Sequence, residues 1–138
     1  MNRHRLAQAA GRRFELSVLK KLKAEFPELQ WRRVDETTGR THGADIDVFR
    51  RGKRIPITFQ CKATKTRTAG LRGLWEAHRT HQNDFAWFCI HSWRWARQKS
   101  ILKVFTKGVV SVVEVLTWEQ FIDRFAFFVN SLDKSDNL

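Results

Sequence analysis

A chain of 138 residues is sized for one domain with a real core, and 42% hydrophobic residues with six Trp and eleven Phe exclude a disordered segment. No apolar run approaches the roughly 20 residues of a membrane span, and the basic start MNRHRLAQAAGRR lacks the apolar stretch of a secretory signal. The net charge of +12 is concentrated: residues 1–72 hold 18 Lys and Arg against 7 Asp and Glu, residues 73–138 hold 8 against 7. Such a half suits a polyanion such as nucleic acid; the plainer alternative is a solvated basic surface. An anionic membrane finds no long amphipathic segment with a basic polar face.

RRFELSVLKKLKAEF (12–26) predicts a helix ended by Pro27. Phe14, Val18, Leu19, Leu22 and Phe26 form its apolar arc, and Glu15 falls in the middle of that arc. An acid there is costly unless something inside receives it. Either a buried Arg or Lys pairs with Glu15, or its carboxylate points into a metal or catalytic site. A polar loop, WRRVDETTGRTHG, follows, with a short strand near residues 31–34.

GADIDVFRRGKRIPITFQCKA (43–63) has the pattern of a β-hairpin. Ile55, Ile57, Phe59 and Cys61 take its core face; Pro56, Thr58, Gln60 and Lys62 take the other. Asp45 and Asp47 share a face, opposite Ala44, Ile46 and Val48. A turn at Gly52-Lys53 sets Asp45 opposite Gln60 and Asp47 opposite Thr58. A turn at Arg51-Gly52 is the alternative, and both leave the two acids on the face of Gln60 and Lys62.

Beyond the hairpin, TKTRTAG reads as a basic loop and LRGLWEAHRTHQ as a helix with Leu71, Leu74, Trp75 and His78 at helical spacing. DFAWFCIH, apolar on both faces, reads as a central strand. SWRWARQKS is a loop whose Trp93 or Trp95 could stack on unpaired bases or pack in the core or at a dimer interface. ILKVFT and VVSVVEV read as strands joined at KG. TWEQFIDRFAFFV opens with a capping box, Thr117 as N-cap and Gln120 three residues on. The expected domain is 1–130, with 131–138 a frayed tail. One mixed sheet with helices packed on it, an α/β fold, accommodates this order.

Cys61 and Cys89 lie in apolar runs and are expected as buried free thiols of a reducing compartment such as the cytoplasm. Without a Cys-x-x-Cys pair, they and His78 and His81 make a poor zinc set. Oxygen ligands are better supplied. Glu15, Asp47 and Gln60 come from three segments, with the Cys61 carbonyl and Lys62 beside them, and hard cations such as Mg²⁺ want oxygen. A cation can stabilise charge on a phosphoryl group and acidify a bound water. A neighbouring Lys can orient that water and stabilise developing charge. With a basic surface, this constellation points to phosphodiester hydrolysis.

At these residues the chain resembles the PD-(D/E)xK nuclease superfamily: a Glu on the first helix (Glu15), an Asp on one strand (Asp47) and Gln60-Cys61-Lys62 on the next. GADIDV followed by FQCK is similar to Mrr-like restriction endonucleases, which often have Gln in that place. The short chain with GRRFELSVLKKL near its start looks more like archaeal-type Holliday junction resolvases, some of which occur in phages, where the compartment is the host cytoplasm.

The resemblance implies a restriction-endonuclease-like mixed β-sheet flanked by helices. It implies a DNA endonuclease dependent on Mg²⁺, with Mn²⁺ able to substitute. Glu15, Asp47, Gln60 and Lys62 would be catalytic, and Glu15, Asp47, Gln60 and Cys61 would hold metal. Arg12, Arg13, Lys65, Arg67 and Arg72 are the expected phosphate contacts, and Thr41 and His42 could touch the scissile strand. Branched DNA would be the substrate, and paired symmetric cuts imply a homodimer. Gln60 departs from the Glu of most resolvases, which weakens metal binding. Asp45 is an extra acid, a supporting group or simply solvated. An Mrr-like or repair nuclease on duplex DNA, and a nucleic-acid-binding module without catalysis, are the alternatives.

Overall fold

The computed structural model describes residues 3–34, 44–63, 67–91, 101–106 and 113–136. They form three helices and a seven-stranded mixed sheet, an α/β fold. Helix α1, Arg3–Glu25, begins well ahead of Arg12 because LAQAA is itself helix-favouring. The Phe26 N–H still donates to the Leu22 carbonyl at 2.9 Å; Pro27 then ends the helix. Strand β1 is Gln30–Arg33, β2 Ile46–Arg50, β3 Lys53–Arg54 and β4 Ile57–Lys62. Helix α2, Arg67–Thr80, leads to β5, Ala86–His91. β6, Ile101–Thr106, β7, Val113–Leu116, and α3, Trp118–Asp136, complete the order.

The sheet runs β1-β2-β4-β5-β6-β7, with β3 paired to β2. β4 and β5 are parallel, joined through α2; a parallel pair needs such a crossover. The other pairings are antiparallel.

The hairpin turn is Arg51-Gly52, with φ of 53° and 79°. Two consecutive positive φ values belong to a tight two-residue hairpin turn. Next to the turn, Arg50 pairs with Lys53 and Phe49 with Arg54, whereas further along Ile46 pairs with Phe59. The two registers differ by two residues, absorbed around Pro56: the Ile57 N–H donates to the Ile55 carbonyl at 2.7 Å, a γ-type turn that suits the fixed φ of proline. An even step keeps every side chain on its face. Continuing the Ile46–Phe59 register puts Asp45 opposite Gln60 and Asp47 opposite Thr58.

One face of the sheet carries Ile46, Val48, Ile57, Phe59, Phe88 and Ile90, covered by Val18, Leu22 and Phe26 of α1 and Phe121 and Phe125 of α3. Phe59 is central: its ring lies 5.4 Å from Phe88, 5.6 Å from Trp31 and 5.6 Å from Phe125. Leu74 and Ala77 of α2 cover Trp87 and Cys89 on the opposite face. β5 is buried along its whole length, as its two-sided apolar pattern requires.

The expected capping box is present: the Gln120 N–H donates to Thr117 Oγ1 at 3.2 Å and the Thr117 N–H to Gln120 Oε1 at 2.9 Å. α3 runs on to Asp136, with Leu132 packed against the core, so 131–136 are helical where a frayed tail was expected. The apolar edge of Leu132 explains the extension. Among the described residues no helix is long and apolar enough to cross a membrane.

Candidate active site

The site is built where β2 and β4 meet. Asp45, just ahead of β2, is clamped on both sides of its backbone. Its N–H donates to the Phe59 carbonyl at 2.7 Å, and its carbonyl accepts from the Val34 N–H at 2.9 Å. Its side chain turns to β4, where Oδ2 accepts the Cys61 N–H at 2.6 Å. Burial raises the Asp45 carboxyl from 3.8 to about 6. The Cys61 N–H works against that rise and Glu15 adds to it, while Lys62 lowers it and Glu76 raises it. Asp45 thus feels charges from α1, β4 and α2 at once.

Gln60 is buried, and its Oε1 has no hydrogen-bond partner among the described residues. An amide oxygen in that state costs about 1–3 kcal/mol unless a ligand satisfies it. Lys62 reaches toward α2, its Nζ 3.9 Å from Glu76 Oε2. Both side chains are more than a third exposed, so the pair adds little stability and the ammonium is available to a substrate. α2 passes close over this region: a Cβ on Gly73 would stand 3.0 Å from Lys62 Cε and from Cys89 Sγ.

Glu15 is in the apolar arc of α1 and is received by a cation: Arg33 Nε donates to its Oε1 at 2.8 Å. Both partners are largely buried, and Arg33 shares its face of β1 with Trp31. The buried-Arg alternative therefore describes this carboxylate, which still acts electrostatically on Asp45. Burial pushes the Cys61 thiol well above its ordinary range, with Asp45 and Glu15 adding to the effect. Its sulfur stays neutral, and of its donor atoms only the carbonyl oxygen suits a hard cation.

Asp47 is placed differently from Asp45. It is 2% exposed, pairs in register with Arg32 of β1, and by the hairpin register lies opposite Thr58. Thr58 hydrogen-bonds Asp84, which also pairs with Arg54. Asp45 lies opposite Gln60, beside Lys62, and is the acid electrostatically linked to Glu15, Lys62 and Glu76. The resemblance gave Asp47 as the ligand and Asp45 as an extra acid; the geometry instead brings Asp45 to Gln60 and Lys62. Glu76 was missed altogether: on α2 it follows the apolar spacing Leu71-Leu74-Trp75-His78, and only the close approach of α2 to β4 brings it to Lys62.

Of the expected phosphate contacts, Arg12 and Arg13 are exposed on α1 and Arg72 on α2. Arg67 opens α2, and Lys65 lies outside the described residues, as do Thr41, His42, Trp93, Trp95 and the Lys107-Gly108 junction. Both cysteines are free.

Among the described residues no three His, Cys, Asp or Glu side chains cluster as a metal-binding group. Amide and backbone oxygens are further donors for a hard cation. Mg²⁺ commonly takes one or two carboxylates and keeps several waters, so Asp45, Gln60 Oε1 and the Cys61 carbonyl are a chemically fitting donor set. The partnerless Gln60 oxygen and the upward shift of Asp45 are what a cation there would relieve. No family model matches this chain, and no curated protein matches it.

Proposed function

We propose that the protein is a metal-dependent DNA endonuclease with its active site at Asp45, Gln60 and Lys62. The observation that carries this is the junction of β2 and β4: a half-buried acid, a partnerless amide oxygen and an ammonium together on the strongly basic half of the chain. Mg²⁺ held there would stabilise charge on the scissile phosphate and acidify a water. Lys62 supplies a mobile cation for the phosphate oxygens or the attacking water. Its Nζ lies 3.9 Å from Glu76 Oε2. Glu15, fixed by Arg33, supports the negative potential that favours a dication. The exposed Arg12, Arg13 and Arg72 offer phosphate contacts outside the chemistry.

Branched DNA is the favoured substrate, on the resemblance to junction resolvases, with a two-fold homodimer supplying two cuts and the cytoplasm as its compartment. Gln60 favours a second reading, an Mrr-like enzyme on duplex DNA. The test is cleavage of a four-way junction and a matched duplex with Mg²⁺ or with EDTA. Magnesium-dependent cutting, lost in Lys62→Ala while DNA binding persists, is expected. Wild-type turnover in Lys62→Ala removes the active-site assignment.

A further inference from the structure

We propose that Arg54 and Asp84 are positioning residues for the candidate site: they hold the two-residue step in the hairpin that sets Asp45 across from Gln60. The catalytic use of that site rests on the nuclease reading above. The clamp rests on backbone geometry.

Beside the turn Arg50 pairs with Lys53, and the Ile55 N–H still donates to the Val48 carbonyl at 2.8 Å in that register. Carried on unbroken, this register would set Asp45 across from Thr58 and Asp47 across from Pro56, and Gln60 would face no acid. The observed Ile46–Phe59 pairing is two residues further on. The step therefore decides which residue Gln60 faces. A bulge leaves its extra residues without their ladder partners, so other groups must satisfy them.

Arg54 is one such group. Its Nη1 donates to the Ile55 carbonyl at 3.2 Å and to the Ile57 carbonyl at 3.5 Å. The same nitrogen donates to Asp84 Oδ2 at 3.4 Å, and Nη2 donates to Asp84 Oδ1. Asp84, buried in the turn between α2 and β5, also accepts the Thr58 hydroxyl. One residue on, the Phe85 N–H donates to the Pro56 carbonyl at 2.7 Å. All three carbonyls of the step are thus held, two by Arg54 and one by the backbone beside Asp84. A planar guanidinium has the donors to serve two carbonyls and a carboxylate together, and a lysine ammonium lacks that fork.

The plainer role for such a pair is general stability. Where the contacts fall favours positioning. They land on the step itself and on Thr58, which shares a strand face with Gln60 two residues away, so a shift at Thr58 carries Gln60 with it. The clamp thereby acts on the cation site from the far end of β4, without touching it.

The experiment is amide hydrogen exchange read by NMR on the full-length protein in EDTA, for Arg54→Lys and Asp84→Asn. The reporter is the Cys61 N–H, which donates to Asp45 Oδ2 at 2.6 Å and so reads whether Asp45 is in place. The controls are the amides of the buried strand β5. In both variants the Cys61 amide is expected to exchange about tenfold faster, the size of a weakened charge-assisted hydrogen bond, while β5 keeps its wild-type rates. Titration with Mn²⁺ followed by electron paramagnetic resonance should show binding weakened about tenfold, as loss of a supporting group around a metal site does. Unchanged Cys61 exchange in either variant overturns the clamp. Equal acceleration at Cys61 and throughout β5, or unfolding of both variants, makes the pair a support of the whole fold and overturns it too. Wild-type Mn²⁺ affinity in a variant with fast Cys61 exchange overturns the positioning of the site. A wild type that binds no Mn²⁺ fails the metal-dependent reading alone, because the exchange rates still support or overturn the clamp.

Discussion

The half-buried carboxyl of Asp45 links stability to pH. Its folded value of about 6 lies above the ordinary 3.8, so the fold favours the protonated form. That stabilising contribution is complete below about 3.8 and is lost as pH rises through about 6. Above that window the ionised carboxylate is a burden unless a cation neutralises it. Asp45→Asn keeps an oxygen for the Cys61 N–H and removes the charge. Urea melts near pH 8 should show the variant more stable than wild type by about 1–3 kcal/mol, and the gap should close toward pH 4. Mg²⁺ should stabilise wild type more than the variant, and the variant should not cut DNA. A variant less stable than wild type at the higher pH contradicts this account. Gln60→Glu tests the same site from β4. A buried carboxylate beside Asp45 should lower Tm without metal, by mutual repulsion, and Mg²⁺ should restore it at a lower half-saturating concentration than cleavage needs in wild type. An unchanged or higher concentration argues against residue 60 as a ligand. Gln60, Lys62 and the buried Glu15 were legible because each breaks the apolar pattern around it. Asp45 and Asp47 were not separable by parity, since both lie on one face. What separates them is strand register, and Pro56 sets that register by a local turn that alternation does not reveal.

Helix α2 is held against the sheet by two glycines with different tasks. A Cβ on Gly70 would stand 2.8 Å from Cδ2 of His91, a fully buried ring at the end of β5. The ring cannot yield easily, so Gly70→Ala should lower stability by about 1–3 kcal/mol of overpacking, less up to roughly 1 kcal/mol regained from helix propensity. On Gly73 the Cβ would stand 3.0 Å from the buried Cys89 Sγ and 3.0 Å from Lys62 Cε and Cγ, a side chain that can swing aside. Gly73→Ala should therefore lose cleavage per folded molecule as well as stability, because the displaced side chain carries the ammonium. Thermal melts alongside turnover per folded molecule decide it. Equal loss of Tm in both variants with normal turnover in folded Gly73→Ala removes Lys62 positioning as the role of that contact. The glycines also explain why the start of α2 was misjudged. TAG has the composition of a loop, yet the helix begins at Arg67 because only glycine lets its first turns lie this close to β4 and β5. The capping box of α3 needed no tertiary information and was legible in full.

At the scale of the molecule, the two-sided apolar run of β5 and the apolar–polar alternation in the sequence of β4 were enough to anticipate a mixed sheet between helices, though β4 is buried on both faces over Ile57, Thr58, Phe59 and Gln60. Which phenylalanines of α3 face inward was not, because its aromatic residues surround much of the helix. Phe121 and Phe125 are fully buried and belong to the core. Phe127 is 68% exposed and Phe85 40% exposed, and both pack on Phe128. That small aromatic patch is a candidate for a two-fold contact, on the opposite side of the sheet from α2. A dimer would spread the basic half of two chains over several duplex arms. Binding to a four-way junction should then be much tighter than to a matched linear duplex, and it should weaken steeply with salt as neutralised phosphates release counterions. Phe127→Glu places a charge in the patch without touching the core or the active site. It should shift the solution mass toward a monomer and bring junction affinity down toward that for duplex, with Tm little changed. A salt series on both DNAs, run beside light scattering of wild type and variant, reads all three quantities. Equal affinity for junction and duplex across the series sinks the branched-DNA preference and promotes the duplex nuclease. A wild type that is already monomeric and still makes paired symmetric cuts sinks the dimer.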